Sequence, residues 1–410
     1  MDMTLVFWIS LALIAYVYVG YPVMLYCASW IADRVVRNPQ PDPQPNPLSA
    51  IRNPHSGVSI IVAARNEGAR LAARLDNLLS LDFPAARRQI VVASDGSTDD
   101  TLELLSRYRR VVDVVAIPPG GKAVALNAAI TRARFDIVVF ADARQTFAPD
   151  ALRELVAPFS DHRVGAVSGE LLLDAESPCR RGEGDRRILE RRRRGREAGV
   201  ERRGEDRRRA LRSTIADGVG LYWRYEKQMR RLESRLDSTL GATGAIYAIR
   251  RALYRPLPAH TILDDVLTPM RIVLAGHRVV FNEKARAFDR AAVDADAEVR
   301  RKIRTLAGNY QILALEPALL LPWRNRVWLQ FVSHKLGRLA VPYAILAMFV
   351  ASIVLADHLF YAAVLLGEVL FLLLAGAGAM LEFAARSRTP AAQMAGAEVT
   401  GSRQPVREIA

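Results

Sequence analysis

Three stretches of this chain are apolar over lengths that a soluble core seldom uses: Leu5–Ile31, Leu339–Ala356 and Leu359–Phe383. A helix needs about 20 such residues to cross the roughly 30 Å apolar core of a bilayer, so each run predicts a membrane helix. A cleaved signal peptide is the alternative for the first run. Against it, Asp2 stands where a leader carries basic residues, and the run is too long. Trp8 and Trp30 fall about 33 Å apart along a helix, where the two aromatic belts belong. Arg34, Arg37 and Arg52 follow the run and nothing basic precedes it, which predicts an outside N-terminus and a cytoplasmic continuation. Only Asp357 and His358 join the last two runs, with Arg324, Arg326, Lys335 and Arg338 before them and Arg386 and Arg388 after. The expectation is an inner-membrane protein with an anchor over 1–32 and a transmembrane hairpin over 339–384. Glu368 sits inside the last run, where a carboxylate is costly; it has either a helix-paired or protonated structural role, or a part in substrate passage.

Between these segments the pattern changes. Residues 33–57 form a Pro-rich linker, expected to be extended. After it, short β-branched runs alternate with amphipathic helices: strands over Val58–Ala64, Gln89–Ser94, Val111–Ala116 and Asp136–Asp142, helices over Ala69–Leu79, Asp99–Tyr108 and Ala123–Ala133. This alternation predicts an α/β domain over 58–298 with a parallel sheet whose ligands gather at the strand C-termini. A strand over Val164–Leu173, a helix near Gly220–Leu236, a helix over Asp264–Ala275 and a strand over Arg278–Asn282 continue it. Helices over Arg300–Leu321 and Asn325–Arg338 are expected to lie along the membrane face, making 299–338 interfacial, with Trp323 and Trp328 at the boundary. The tail over 385–410 is small, polar and expected to be disordered.

The net charge is +14, and 178–213 supplies +8 of it, with 15 Arg against 7 acidic residues. This insertion has no aromatic residue and almost no large apolar ones, so it cannot bury a core. It reads as a solvated insertion or as a surface drawn to anionic lipid; without aromatics to stack on bases, nucleic acid is not an expected partner. Cys27 and Cys179 make neither a disulfide framework nor a metal cluster, and the six His show no paired ligand spacing.

The residues with the most chemistry stand where strands stop. Asn66 and Glu67 follow the first strand, Asp95 the second within ASDGSTDDT, and Asp142 the fourth. Lys122 opens a helix after Gly120-Gly121, where a cation suits a pyrophosphate. Each has a plainer reading: Asp95 as a helix cap, Lys122 as a surface lysine, and the acids of TILDDV as an ordinary acidic helix N-terminus.

Taken together over roughly 57–311, these motifs resemble the GT-A domain of family 2 glycosyltransferases, in the membrane-integrated branch of cellulose, chitin and hyaluronan synthases. The resemblance implies a Rossmann-like GT-A catalytic domain with one N-terminal and two C-terminal transmembrane helices. It implies a cytoplasmic inverting enzyme that moves a sugar from a nucleotide-sugar donor to a lipid-linked or glycan acceptor, in contact with membrane lipids. Arg65, Glu67, Asp95 and Lys122 would contact the nucleotide, Asp95 standing for the aspartate that holds uracil. Asp142 matches the first acid of the family's D-x-D and implies Mg2+ or Mn2+. Arg144 replaces the second acid, so either Asp142 ligates alone with water and phosphate or Arg144 supplies part of the charge. Asp265 matches the general base, Asp264 precedes it, and Gly244 lines the acceptor side. The family's Q-x-x-R-W falls on Arg301, Arg304 and Thr305. A threonine in place of the chain-stacking tryptophan, with only three crossings, points to one or a few sugars per encounter. Secretion of a long polymer, or a catalytically impaired lipid-binding protein, are the competing readings.

Overall fold

The computed structural model describes residues 2–35, 57–174, 223–290 and 295–387. The Pro-rich stretch over 36–56, the Arg-rich insertion over 178–213, and the tail beyond 387 lie outside the described residues. The chain divides into two compact units, Val19–Leu339 and Met1–Tyr18 with Ala340–Ala410.

Among the described residues of the larger unit eight strands form one sheet: β1 (Val58–Ala64), β2 (Arg88–Asp95), β3 (Asp113–Ile117), β4 (Ile137–Asp142), β5 (Thr146–Phe147), β6 (Val164–Asp174), β7 (Ile246–Arg250) and β8 (Arg278–Arg290). Their order is β3-β2-β1-β4-β7-β6-β8-β5. The alternation along β1 divides its side chains between two cores. Val58, Ile60 and Val62 meet Leu71, Leu75 and Leu78 of one helix, while Ile61 joins Leu126, Leu267 and Met270 on the other face. Each such leucine contributes roughly 1.5–3 kcal/mol on burial, so the strand is fixed by both layers.

The expected parallel sheet holds for β3, β2, β1 and β4, and β6 pairs parallel with β8. β7 runs antiparallel to both β4 and β6, and β5 is antiparallel to β8. The hydrophobic pattern marks a buried strand but carries no sign for its direction. The reversal has a consequence for the site: Ala141 pairs with Ile246, so the segment entering β7 reaches the edge where β4 releases Asp142.

Most helices stand at the expected sites with different ends, and the short helix over Ala151–Val156 is an addition. We number them α1 (Met3–Arg34), α2 (Gly68–Leu79), α3 (Thr101–Arg107), α4 (Lys122–Ile130), α5 (Ala151–Val156), α6 (223–236), α7 (Asp264–Leu274), α8 (Ala295–Leu315), α9 (Trp328–Val354) and α10 (Leu359–Ser387). Helix α8 stops before Pro317, which cannot continue the ladder, and a 3-10 turn over Pro317–Leu320 follows. The expected break between an interfacial helix ending at Arg338 and a membrane helix beginning at Leu339 is absent: α9 runs through it. Two of its polar residues are paired laterally, His334 by Glu233 at 2.6 Å and Arg338 by Glu226. Among the described residues three helices, α1, α9 and the Leu359–Gly378 part of α10, are long and apolar enough to cross a membrane. In the smaller unit Phe7 packs edge-on against Tyr361 at 4.9 Å, and Trp8 stacks on Phe360 at 5.8 Å.

Candidate active site

The loops leaving β1 and β2 are joined side by side. Asn66 adopts a left-handed φ of 54°, which an asparagine tolerates better than most residues, and its Oδ1 accepts from Thr98 N at 2.8 Å. Glu67 N donates to Thr101 Oγ1 at 3.1 Å, and Gly68 N to Asp99 Oδ2 at 3.1 Å. A Cβ on Gly68 would meet Asp100 Oδ1 at 1.7 Å, so only glycine allows this closeness. The Glu67 carboxylate pairs with Arg70 at 3.8 Å, and Arg65 stands at the mouth, largely exposed, 3.8 Å from Asp95.

Asp95 is buried and occupied by backbone. Its Oδ1 accepts from Gly120 N at 2.6 Å and its Oδ2 from Gly121 N at 3.0 Å. Asp95 thus caps no helix; from across the sheet it pins the Gly-Gly turn, with Gly121 at φ 88°, immediately before Lys122 starts α4.

That turn delivers Lys122 to two carboxylates. Its Nζ lies 3.2 Å from Asp142 Oδ1 and 3.2 Å from Asp264 Oδ1. Burial opposes the ammonium charge, but Asp264, Asp142 and Asp265 outweigh it and raise its pKa. Lys122 is thus no free surface lysine. Beneath, buried Arg74 donates from Nε to the Asp142 carbonyl at 3.1 Å and stacks 4.1 Å from the Phe147 ring. Burial lowers its pKa to about 9 against the pull of Asp142. Arg144 is exposed; the cation at Asp142 is Lys122.

Asp265 follows Asp264 in the first turn of α7. A Cβ on Gly244 would sit 2.7 Å from Asp265 Oδ2, so this glycine makes room for the carboxylate. Burial, then the charge of Asp264, raises the Asp265 pKa to about 6, with Lys122 and Lys335 acting against the rise. Asp265 opens on a cavity of about 200 Å3 whose wall includes Glu226, Arg230, Thr305, Asn309 and Lys335. Helix α8 fixes the approach to Asp264 and Asp265. Gln311 Oε1 accepts from Ile262 N at 2.9 Å, Arg304 Nη2 donates to Ile262 O at 3.4 Å, and Gly308 lies against Leu263. Arg301 is exposed on the same helix.

Sequence reasoning missed Arg74, Arg230, Gln311 and Lys335. A lone arginine within an amphipathic helix and a lysine at the end of an apolar run gave no chemical signal. Among the described residues no three His, Cys, Asp or Glu side chains converge. The donor set still fits a hard divalent cation: Asp142 is part-exposed, and Asp264 Oδ2, although buried, has no hydrogen-bond partner among the described residues. Mg2+ and Mn2+ are held by one or two carboxylates when phosphate and water complete the shell.

Residues 59–255 match the model of glycosyl transferase family 2. Over 120 residues the chain is 35% identical to a beta-monoglucosyldiacylglycerol synthase of Synechocystis sp., covering 28% of this chain and 25% of that protein. Over 131 residues it is 30% identical to a poly-beta-1,6-N-acetyl-D-glucosamine synthase of Staphylococcus epidermidis, covering 30% and 31%. The chain thus aligns with about a quarter to a third of these relatives' lengths. Its fold is that of a mannosyltransferase from Pyrobaculum calidifontis solved with GDP-Man and Mn2+, at a TM-score of 0.60 and 22% identity, over 90% of this chain and 92% of that one.

Proposed function

Residues 59–255 of this chain belong to glycosyl transferase family 2, and from that premise we propose an inverting glycosyltransferase that moves a sugar from a nucleoside-diphosphate donor to a hydroxyl of a membrane-borne acceptor. The observation that carries the reading is Lys122 bridging Asp142 and Asp264 at 3.2 Å, with Asp265 next in the chain and facing a cavity. Neutralised acids on one side and a raised carboxylate on the other suit a leaving diphosphate and a proton acceptor.

In this mechanism Asp265 takes the proton of the acceptor hydroxyl. The oxygen attacks the anomeric carbon from the face opposite the nucleotide, and the bond from that carbon to the diphosphate oxygen breaks. One displacement inverts the configuration. Lys122 faces the charge that develops on the diphosphate, Arg65 borders the donor side, and Asp95 holds the Gly120–Gly121 turn that carries Lys122. Bound Mg2+ or Mn2+, held by Asp142 with Asp264 beside it, would supply further neutralisation of the leaving group. Gly244 keeps the Asp265 carboxylate in place, while Arg304 and Gln311 hold the loop before it.

The acceptor side is read as lipid-facing. Val299, Ile303 and Leu306 leave exposed apolar side chains on α8, beside Arg300, Arg301, Lys302 and Arg304, a composition suited to a headgroup surface. We place the domain at the cytoplasmic face of the inner membrane, from the basic residues after α1. The test is a donor panel with the purified full chain in detergent. Because Asp95 is occupied by backbone, both UDP- and GDP-linked sugars are supplied, each with Mg2+, Mn2+ or EDTA. Metal-dependent release of one nucleoside diphosphate, coupled to glycosylation of a lipid extract and lost in Asp265→Asn, is the expected result; release that persists in that variant overturns the assignment.

A further inference from the structure

The cavity beside Asp265 carries more charge than proton removal requires. Its two glutamates are already matched: Glu233 Oε1 accepts from the Tyr21 hydroxyl at 2.9 Å and meets His334 Nδ1 at 2.6 Å, while Glu226 pairs with Arg338 and lies 3.6 Å from His334 Nε2. Its two cations are not. Arg230 donates from Nη1 to the Thr243 hydroxyl at 2.8 Å, and among the described residues no carboxylate stands within ion-pair distance of it. Lys335 makes no hydrogen bond or ion pair among the described residues, although Glu226, Asp265 and Glu233 lie within its electrostatic reach. Arg230 is also within that reach, as a like charge. Arg230 and Lys335 are like charges turned toward one cavity, and an anion bound between them would relieve their mutual repulsion.

Resting on the transfer reading above, we propose that this cavity recognises a phosphate group on the acceptor. Arg230 and Lys335 are the specificity-determining residues, holding that phosphate so that a neighbouring hydroxyl faces Asp265. The guanidinium supplies a planar, two-pronged donor and the ammonium a point charge, the usual pairing for phosphate oxygens. About 200 Å3 holds far more than a single water, so a phosphate and an adjoining hydroxymethyl group fit together. Thr305 and Asn309, also on the wall, offer neutral polar contacts to the hydroxyl. The phosphate itself is unchanged in the reaction.

Direct binding to the detergent-solubilised full chain tests this. The probes are dihexanoyl phosphatidylglycerol, uncharged dihexanoylglycerol, and inorganic phosphate as competitor. The charged lipid is expected to bind at least about tenfold tighter than the neutral one, a gap of roughly 1.4 kcal/mol. That preference should vanish in Lys335→Met and in Arg230→Gln and persist in Lys335→Arg, with thermal unfolding showing which variants are folded. Displacement by inorganic phosphate assigns recognition to the phosphate alone, and resistance to it assigns recognition to the lipid-borne group. Equal binding of the two lipids, or a charge preference that survives in both neutral variants, overturns the proposal. Since the titration reads binding, an intact preference in a protein that transfers no sugar would sink the transfer reading alone.

Discussion

At Lys122 one ammonium serves Asp142 and Asp264, and the carboxylate left facing the cavity is Asp265. A base that acts as the bond to the sugar forms contributes in the transition state and little to donor binding. Asp265→Asn is therefore expected to lower kcat by about 100-fold or more, with donor affinity, measured by titration, within a few-fold of wild type. A fall of less than about tenfold, roughly 1.4 kcal/mol, would assign the proton elsewhere. The pH profile gives a second check. With a pKa raised to about 6, Asp265 is protonated and inactive below that pH and competent above it. The acid limb of kcat/KM should therefore fall near pH 6. Asp264→Asn removes a like charge that favours the protonated form, so it should move this limb to lower pH; an unmoved limb would mean that another group titrates there.

At the scale of elements, the loop before Asp264 is held by α8 across a contact with no space for a side chain. A Cβ on Gly308 would approach Leu263 Cγ to 2.5 Å, and one on Gly244 would approach Asp265 Oδ2 to 2.7 Å. Gly308→Ala and Gly244→Ala should each lower kcat at least about tenfold while leaving the donor KM within about twofold. Unchanged kcat would show that the loop is free to move aside. These contacts also show what was legible in the sequence. Strands β1, β2 and β4 and helix α7 stand within a residue or so of their expected places, because buried β-branched runs and an acidic helix start are local signals. The motif residues Lys122, Asp142, Asp264 and Asp265 converge as their order implied. Strand direction, the lateral pairing of His334 and Arg338 with α6, and the partners of Asp95 depend on what packs alongside, and no local pattern carries that.

For the whole molecule, product length is the property most exposed to test. Thr305 lines the cavity beside Asp265, where an aromatic ring would add roughly 0.5–1.5 kcal/mol of stacking to hold a growing chain. With a limiting supply of donor, mass spectrometry should find most acceptors carrying one or a few sugars. A few very long chains amid untouched acceptors would refute this. The three apolar helices have a further consequence if the acceptor is a lipid. An enzyme fixed in a bilayer meets that acceptor by diffusing in a plane, and the concentration it senses is the lipid's mole fraction in the surface. Its rate should then fall when inert lipid or detergent is added at constant bulk acceptor, and recover when the acceptor is raised in proportion. Such surface dilution would be absent with a water-soluble acceptor, so a kinetic series in mixed micelles separates an enzyme that works in two dimensions from one that works in three.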